Sequence, residues 1–420
     1  MIQTISLLPG VTLRCFPDNR FKQECLTVQF VRPMDRAEAA MNALLPAVLL
    51  RGTVSAPDLK SISLRLDDLY GAGVSDLVRR IGDFQTTGLS CNFIADRYTL
   101  DGESLLAPVL EFLGQLLTQP VTDGDGFRRD YTESEKKNLI SAIEAARNNK
   151  RTYVTERLLQ TMCRDDSFGI PRLGFAEDVA AIDEKTLYAH YRRVLAESPV
   201  EIFYVGQSDI RFLADFFTKL FSGAGRHSAS AAAQTPFSGG TPGEHRQEMD
   251  IAQAKLALGY VTDVTTRDSR FAAMQVCSAA LGGGMTSRLF TQIREKQSLC
   301  YDIGSSYYGS KGILVVYAGI DAEKKAEVCR QIEKELAVCQ AGALSDGELE
   351  AAKQSLLSSL RTVHDTPSAI ENYYATGALS GLRLTIEQYR QAVAAVTHED
   401  IAAVAQTLRL HTAYSLEGVR

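Results

Sequence analysis

Histidine is scarce in this 420-residue chain, which has six: His190, His227, His245, His364, His398 and His411. None precedes position 190, and no two stand four apart. A zinc ion held from one helix face needs two histidines at i and i+4, so that arrangement is excluded. The eight cysteines, at 15, 25, 91, 163, 277, 300, 329 and 339, never form Cys-x-x-Cys. Scattered over so long a chain they read as buried, reduced thiols. Tryptophan is absent, and no run approaches the ~18 apolar residues of a membrane span. The opening "MIQTISLLPGVTLRCF" lacks the basic start and long apolar core of a secretory signal, so the cytoplasm is the expected compartment. A net charge of -6 gives no basic excess for nucleic acid. Neither a Gly-x-Ser-x-Gly elbow nor a Gly-x4-Gly-Lys-[Ser/Thr] phosphate loop occurs.

What the chain does contain is an ordinary globular composition, 45% hydrophobic and 23% charged, over a length that exceeds one core. A Gly-, Ser-, Ala- and Pro-rich segment, residues 221–246, reads as a linker. It separates residues 1–220 from 247–420, and these halves resemble each other. "VAAIDEKTLYAHYRRVL" from Val179 and "VAAVTHEDIAAVAQTL" from Val393 are 214 residues apart, each an apolar step, a cap and an amphipathic helix. Thr397 with Asp400 fits a capping box, with Asp in place of Glu. Each helix leads to an apolar strand closing on glycine, at Gly206 and Gly418. "ESEKKNLISAIEA" from Glu133 likewise parallels "ELEAAKQSLLSSL" from Glu348. Such correspondence indicates internal duplication. Each half reads strand, strand, helix, helix, strand, helix pair, helix, strand. The fold class is therefore α+β, with one mainly antiparallel sheet per half and helices on one face.

One run carries more than architecture: "LGGGMTSRLFTQIREKQSLCYDIGSSY", Leu281 to Tyr307. Gly282, Gly283 and Gly284 offer positive φ and close backbone approach. From Met285 to Lys296 the spacing of Leu289, Phe290 and Ile293 predicts a helix with one apolar face. Arg294 then falls near its C-terminal end, and Tyr301 lies on an extended stretch. The run resembles the second-domain signature of the insulinase-like M16 metallopeptidases: a Gly-rich turn, Ser287-Arg288-Leu289-Phe290, Arg294-Glu295-Lys296, and Tyr301 seven residues after Arg294. The resemblance implies two duplicated M16-type (LuxS/metallohydrolase-like) domains. It also implies that Arg294 and Tyr301 bind substrate, the arginine holding peptide backbone and the tyrosine stabilising an oxyanion.

The same resemblance exposes a loss. M16 enzymes place His-x-x-Glu-His on a first-domain helix ahead of Gly-Thr. Aligned on Arg51-Gly52-Thr53, the functional positions here are Ala43, Pro46 and Ala47. Pro46 is also expected to disturb a helix interior. The third ligand, a Glu in a Glu-x6-Glu helix, falls on Ala142 when Glu135 is taken as the first Glu. A chain without ligands but with the Arg/Tyr pair resembles the non-catalytic member of bacterial two-chain M16 peptidases. Several expectations follow from that likeness: no cofactor of its own, zinc only in a partner carrying His-x-x-Glu-His, and half of a chamber enclosing short or unfolded peptides. An inert scaffold and a peptide-binding homodimer are the alternatives. Finally, "FVRPMDRAEAAMNALLPAVLLRGT", "LDDLYGAG" and "RLGF" resemble bacterial M16-like proteins associated with 5-aminopentanone modification of elongation factor P.

Overall fold

The computed structural model describes residues 2–223, 226 and 234–419. These form two compact units. The first comprises Met1–Glu144, Ile170–Ala233 and His364–Thr376; the second comprises Ala145–Gly169, Gln234–Val363 and Gly377–Arg420. Of the segment 221–246 read as a linker, residues 224, 225 and 227–233 lie outside the described residues. The helix Ile210–Ser222 and the strand Gly243–Met249 reach into its two ends.

Both units are built on a mainly antiparallel sheet. In the first, the strand order is Gln3–Leu8, Val11–Pro17, Val200–Gly206, Gln23–Pro33, Phe84–Ile94, Gly73–Ile81. In the second it is Gly243–Met249, Arg409–Gly418, Ala254–Val261, Ile313–Ile320, Cys300–Tyr308. The five strands of the second repeat the last five of the first, place by place. Even the single parallel pairing recurs, Val11–Pro17 with Val200–Gly206 and Gly243–Met249 with Arg409–Gly418. Duplication in sequence is thus duplication in topology. Two details of the sequence reading need correction: the first half opens on three strands instead of two, Gln3–Leu8 being the extra one, and a hairpin of two strands stands in each half where a single strand was expected. The missed hairpin strands, Gly73–Ile81 and Cys300–Tyr308, are edge strands. An edge strand needs no apolar alternation, and both are half polar.

The pleat explains the central strands. In Gln23–Pro33, Leu26, Val28 and Phe30 point into one core with Leu89, Cys91, Phe93 and Ile202, beneath helices Arg36–Leu49 and Leu106–Thr118. The other face is covered as well. There Cys25 and Val205 meet Ile370, while Glu371 accepts from Thr27 Oγ1, Gln29 Nε2 and both terminal nitrogens of Arg79. The second unit has the same two-sided arrangement. Its helix Lys150–Met162 lays Val154, Leu158 and Met162 on Ala257, Val315 and Leu416. On the opposite face the helix Phe271–Gly282, buried almost all round, packs against Asp346–Thr362 and His398–Ala405. The Thr397 capping box forms as the sequence predicts, with Asp400 and Thr397 bonding each other's backbone N–H. All eight cysteines are free thiols, seven of them buried.

Candidate functional site

The helix Arg36–Leu49 begins at Asp35, whose Oδ1 accepts from Ala37 N at 2.9 Å. It continues through Pro46 and is not broken there. Proline at this place deletes only the bond to the Asn42 carbonyl, and the burial of Leu44, Leu45, Val48 and Leu49 holds the helix together. Ala43 and Pro46 are buried and Ala47 is half-buried. Ala142 is exposed on the helix Arg129–Ala146. None of the four carries a donor atom that could hold zinc, so these residues do not fit the metal. Glu135 is occupied otherwise: Arg51 Nη1 donates to its Oε1 at 3.1 Å, and Asn138 Nδ2 to its Oε2 at 3.0 Å. Among the described residues no three His, Cys, Asp or Glu side chains come together as a metal-binding group.

Beside those alanines the helix buries a neutral relay. His190 Nε2 donates to Asn42 Oδ1 at 2.7 Å, Asn42 Nδ2 to Gln85 Oε1 at 2.9 Å, and Gln85 Nε2 to the carbonyls of Ala39 and Arg172. Arg193 Nη2 donates to His190 Nδ1 at 3.1 Å. Both ring nitrogens are therefore used with the imidazole uncharged. Burial pushes the His190 pKa down to about 4; Arg193 and Arg32 push the same way, against Glu38. The folded value lies below the unfolded one of ~6.5, so the relay's stabilisation is complete above pH 6.5 and is lost as pH falls towards 4. The loss amounts to about 3 kcal/mol, two to three pKa units at 1.36 kcal/mol each. Urea unfolding at pH 7.5 and 4.5 measures it. His190→Gln, which keeps a donor and an acceptor, should flatten the pH dependence, and an equally steep profile in that variant would refute the assignment.

The glycine-rich run folds differently from its sequence expectation. None of Gly282, Gly283 and Gly284 has positive φ. Gly282 is needed for proximity, because a Cβ there would stand 2.6 Å from Ser305 N. Ser287 Oγ closes the turn on the Gly284 carbonyl at 2.6 Å. The expected helix from Met285 is a π-helix, Leu289–Glu295, with Lys296 N donating to the Thr291 carbonyl five residues back. The chain leaves it through Ser298, a non-glycine residue at φ 52. It then enters the edge strand Cys300–Tyr308 with a bulge, for Cys300 pairs with Ile320 and Asp302 with Gly319. Tyr301 is the extra residue. A π-turn and a bulge are both devices that re-aim side chains, and both are common next to functional sites.

Their combined effect is to bring Arg294 and Tyr301, seven residues apart, to one open cleft of about 350 Å³. Ser298, Cys300, Asp321 and Lys324 line it too. Arg294 lies over the Phe290 ring at 4.5 Å, and its Nη1 stands 3.9 Å from Glu295 Oε1, beyond hydrogen-bond range. Tyr301 is 54% exposed and its hydroxyl donates to Asp321 Oδ1 at 3.0 Å. That bond raises the phenol pKa. Lys324, with Tyr301, keeps Asp321 below the usual carboxylate range. Burial pushes the Cys300 thiol up to about 11, so it is no thiolate nucleophile. The sequence reading missed Asp321 and Lys324. Register holds the clue, since Asp321 follows the Ile320 that pairs with Cys300.

Arg288, by contrast, faces away from this chemistry. It is clamped between Glu335 (Nε to Oε2, 2.8 Å) and Glu348 (Nη1 to Oε1, 2.6 Å). Among the described residues no helix is long and apolar enough to cross a membrane.

Comparison with known proteins agrees with this picture. Residues 181–356 match the family described as Peptidase M16 inactive domain. The chain is 28% identical over 409 residues to a probable inactive metalloprotease, YmfF, of Bacillus subtilis (strain 168), covering 97% of this chain and 96% of that one. In structure it is similar to a conserved protein from Enterococcus faecalis V583, with TM-score 0.92 and 28% identity over 100% and 99% of the two chains. It shares its fold with a peptidase M16 inactive domain from Pseudomonas fluorescens, with TM-score 0.81 and 18% identity over 100% and 98%. The chain is thus similar along nearly its whole length to proteins described as inactive M16 metalloproteases.

Proposed function

We propose that the chain is the non-catalytic subunit of a two-chain zinc peptidase of the cytoplasm, lending Arg294 and Tyr301 to a partner that carries His-x-x-Glu-His. One observation carries the reading. The zinc positions Ala43, Pro46, Ala47 and Ala142 hold no ligand, whereas Arg294 and Tyr301 are brought together in one solvent-open cleft by a π-turn and a bulge. A chain serving only as packing has no use for a half-exposed tyrosine and a guanidinium at the same opening. The substrate is a short or unfolded peptide. Arg294 can place several donors on its backbone in a fixed fork.

The test is co-purification with an M16 chain bearing His-x-x-Glu-His, followed by assay on a quenched peptide library. Activity is expected only in the mixture. Arg294→Ala should lower kcat/KM about 10- to 100-fold, the worth of a charge-assisted hydrogen bond. A stable complex indifferent to both Arg294→Ala and Tyr301→Phe would make the chain a scaffold. One zinc per purified chain would overturn the reading altogether.

A further inference from the structure

The hydroxyl of Tyr301 is already engaged. A carboxylate only accepts, so the 3.0 Å bond to Asp321 Oδ1 takes up the one phenolic hydrogen. Lys324 Nζ holds the other carboxylate oxygen at 2.9 Å. A tyrosine that stabilises an oxyanion must give it that same hydrogen, and one hydrogen cannot serve both acceptors well. The bond to Asp321 therefore has to open before Tyr301 acts. Packing offers little resistance, for Tyr301 is the extra residue of a bulge and more than half its surface lies in solvent.

Asp321 has a second place for its carboxylate. Its backbone is extended, φ -75 and ψ 134, as at a helix N-cap, ahead of the 3-10 turn Ala322–Lys324 and the helix Lys325–Gln340. An aspartate at such a position ordinarily accepts from backbone N–H groups of the first turn. Here the side chain makes no capping bond and turns to Tyr301 and Lys324 instead. Two arrangements thus compete for one carboxylate. The first closes on the phenol; the second caps the helix and leaves the phenol free. Each is worth about one hydrogen bond, so they lie close in energy.

We propose that Asp321 is a latch on Tyr301: it holds the phenolic hydrogen in the free chain, and in the working complex it swings to the helix N-terminus and releases Tyr301 to the oxyanion. The proposal rests on the function given above. It makes Asp321 a positioning residue that restrains the composite site, so weakening the latch speeds the reaction.

The experiment compares wild type, Tyr301→Phe, Asp321→Asn and Asp321→Asn/Tyr301→Phe in complex with the zinc-bearing partner. Asparagine caps a helix about as well as aspartate but offers the phenol only a weaker, uncharged acceptor. In Asp321→Asn kcat should rise about 3- to 10-fold with KM little changed, the worth of a bond that no longer has to open. Tyr301→Phe should lower kcat about 100-fold, as loss of an oxyanion donor does. In the double variant the gain should vanish, leaving the Tyr301→Phe value. An Asp321→Asn complex no faster than wild type, or a gain that persists without the phenol, overturns the latch and leaves the composite site standing. No loss in Tyr301→Phe defeats the composite-site reading, and the latch falls with it. A second readout needs no partner. In the isolated chain with ¹³Cζ-labelled tyrosine, the NMR signal absent from Tyr301→Phe reports this phenol. Its titration should move down in Asp321→Asn, and an unmoved titration overturns the hydrogen bond.

Discussion

Lys311→Met should destabilise the protein by about 3–5 kcal/mol, although Lys311 lies in a turn between two strands and touches nothing in the Arg294 cleft. The ammonium has no solvent access, and the Asp166 side chain is only 2% exposed. Lys311 Nζ donates to Asp166 at 3.0 Å, to the Thr235 carbonyl at 3.2 Å and to Thr235 Oγ1 at 3.1 Å. Asp166 in turn accepts from Phe168 N, Ser238 N and Ser238 Oγ. Well-shaped methionine fills the space but leaves the carboxylate buried and uncompensated, which is the expensive way to break such a pair. Adding Asp166→Asn removes that charge while keeping an acceptor for Phe168 N. The double variant should therefore be less damaged than the sum of the single ones. Urea unfolding of the four proteins reads this directly, and a Lys311→Met protein within 1 kcal/mol of wild type would refute the argument.

Nothing in the sequence marks Lys311 for this role. "KGILVVYAGI" from Lys311 reads as a strand from its first residue, whereas the strand is Ile313–Ile320, and Asp166 lies 145 residues away. What was legible is what has a local signal. The duplicated cap-helix-strand units announce themselves through spacing, and Thr397 caps its helix because the capping pattern needs only four residues. That Ala43, Pro46, Ala47 and Ala142 offer no zinc ligand is legible for the same reason, since ligand chemistry depends on residue type at fixed intervals. Three kinds of feature escaped. The edge strands Gly73–Ile81 and Cys300–Tyr308 lack the alternation that burial on one face would impose. The π-turn arises from tertiary packing of Leu289 and Ile293, which also suits an ordinary helix pattern. Segments 145–169 and 364–376 each group with the unit opposite to their half of the sequence. Amphipathicity says only that a helix such as Lys150–Met162 has an apolar face, and the face does not name its sheet.

Arg288→Ala should cost about 3 kcal/mol or more, and Arg288→Lys a good part of that. This arginine belongs to the Ser-Arg-Leu-Phe element by which the family resemblance is recognised, yet it performs no chemistry in the cleft. Its side chain is 13% exposed and spans two carboxylates, Glu335 at 2.6 Å and Glu348 at 2.6 Å. Glu335 is 4% exposed, so truncating the arginine leaves it charged and buried. Glu348 also accepts from Ser345 N in a capping box, so the same change loosens the start of the helix Asp346–Thr362. A lysine offers one compact charge and cannot bond both carboxylates in the geometry of the guanidinium fork. The π-turn that presents Arg294 begins at the very next residue, Leu289, and Arg288 thereby anchors the turn that carries Arg294. Two measurements separate the roles. In the isolated chain Arg288→Ala should shift the urea midpoint strongly, whereas Arg294→Ala, which gives up an exposed contact with the Phe290 ring, should stay within about 1 kcal/mol of wild type. In complex with the zinc-bearing partner both variants should lose activity, but only the Arg288 loss should shrink under stabilising osmolyte. Equal stability of the two variants in urea would show that the Ser-Arg-Leu-Phe element is held together by something other than this clamp.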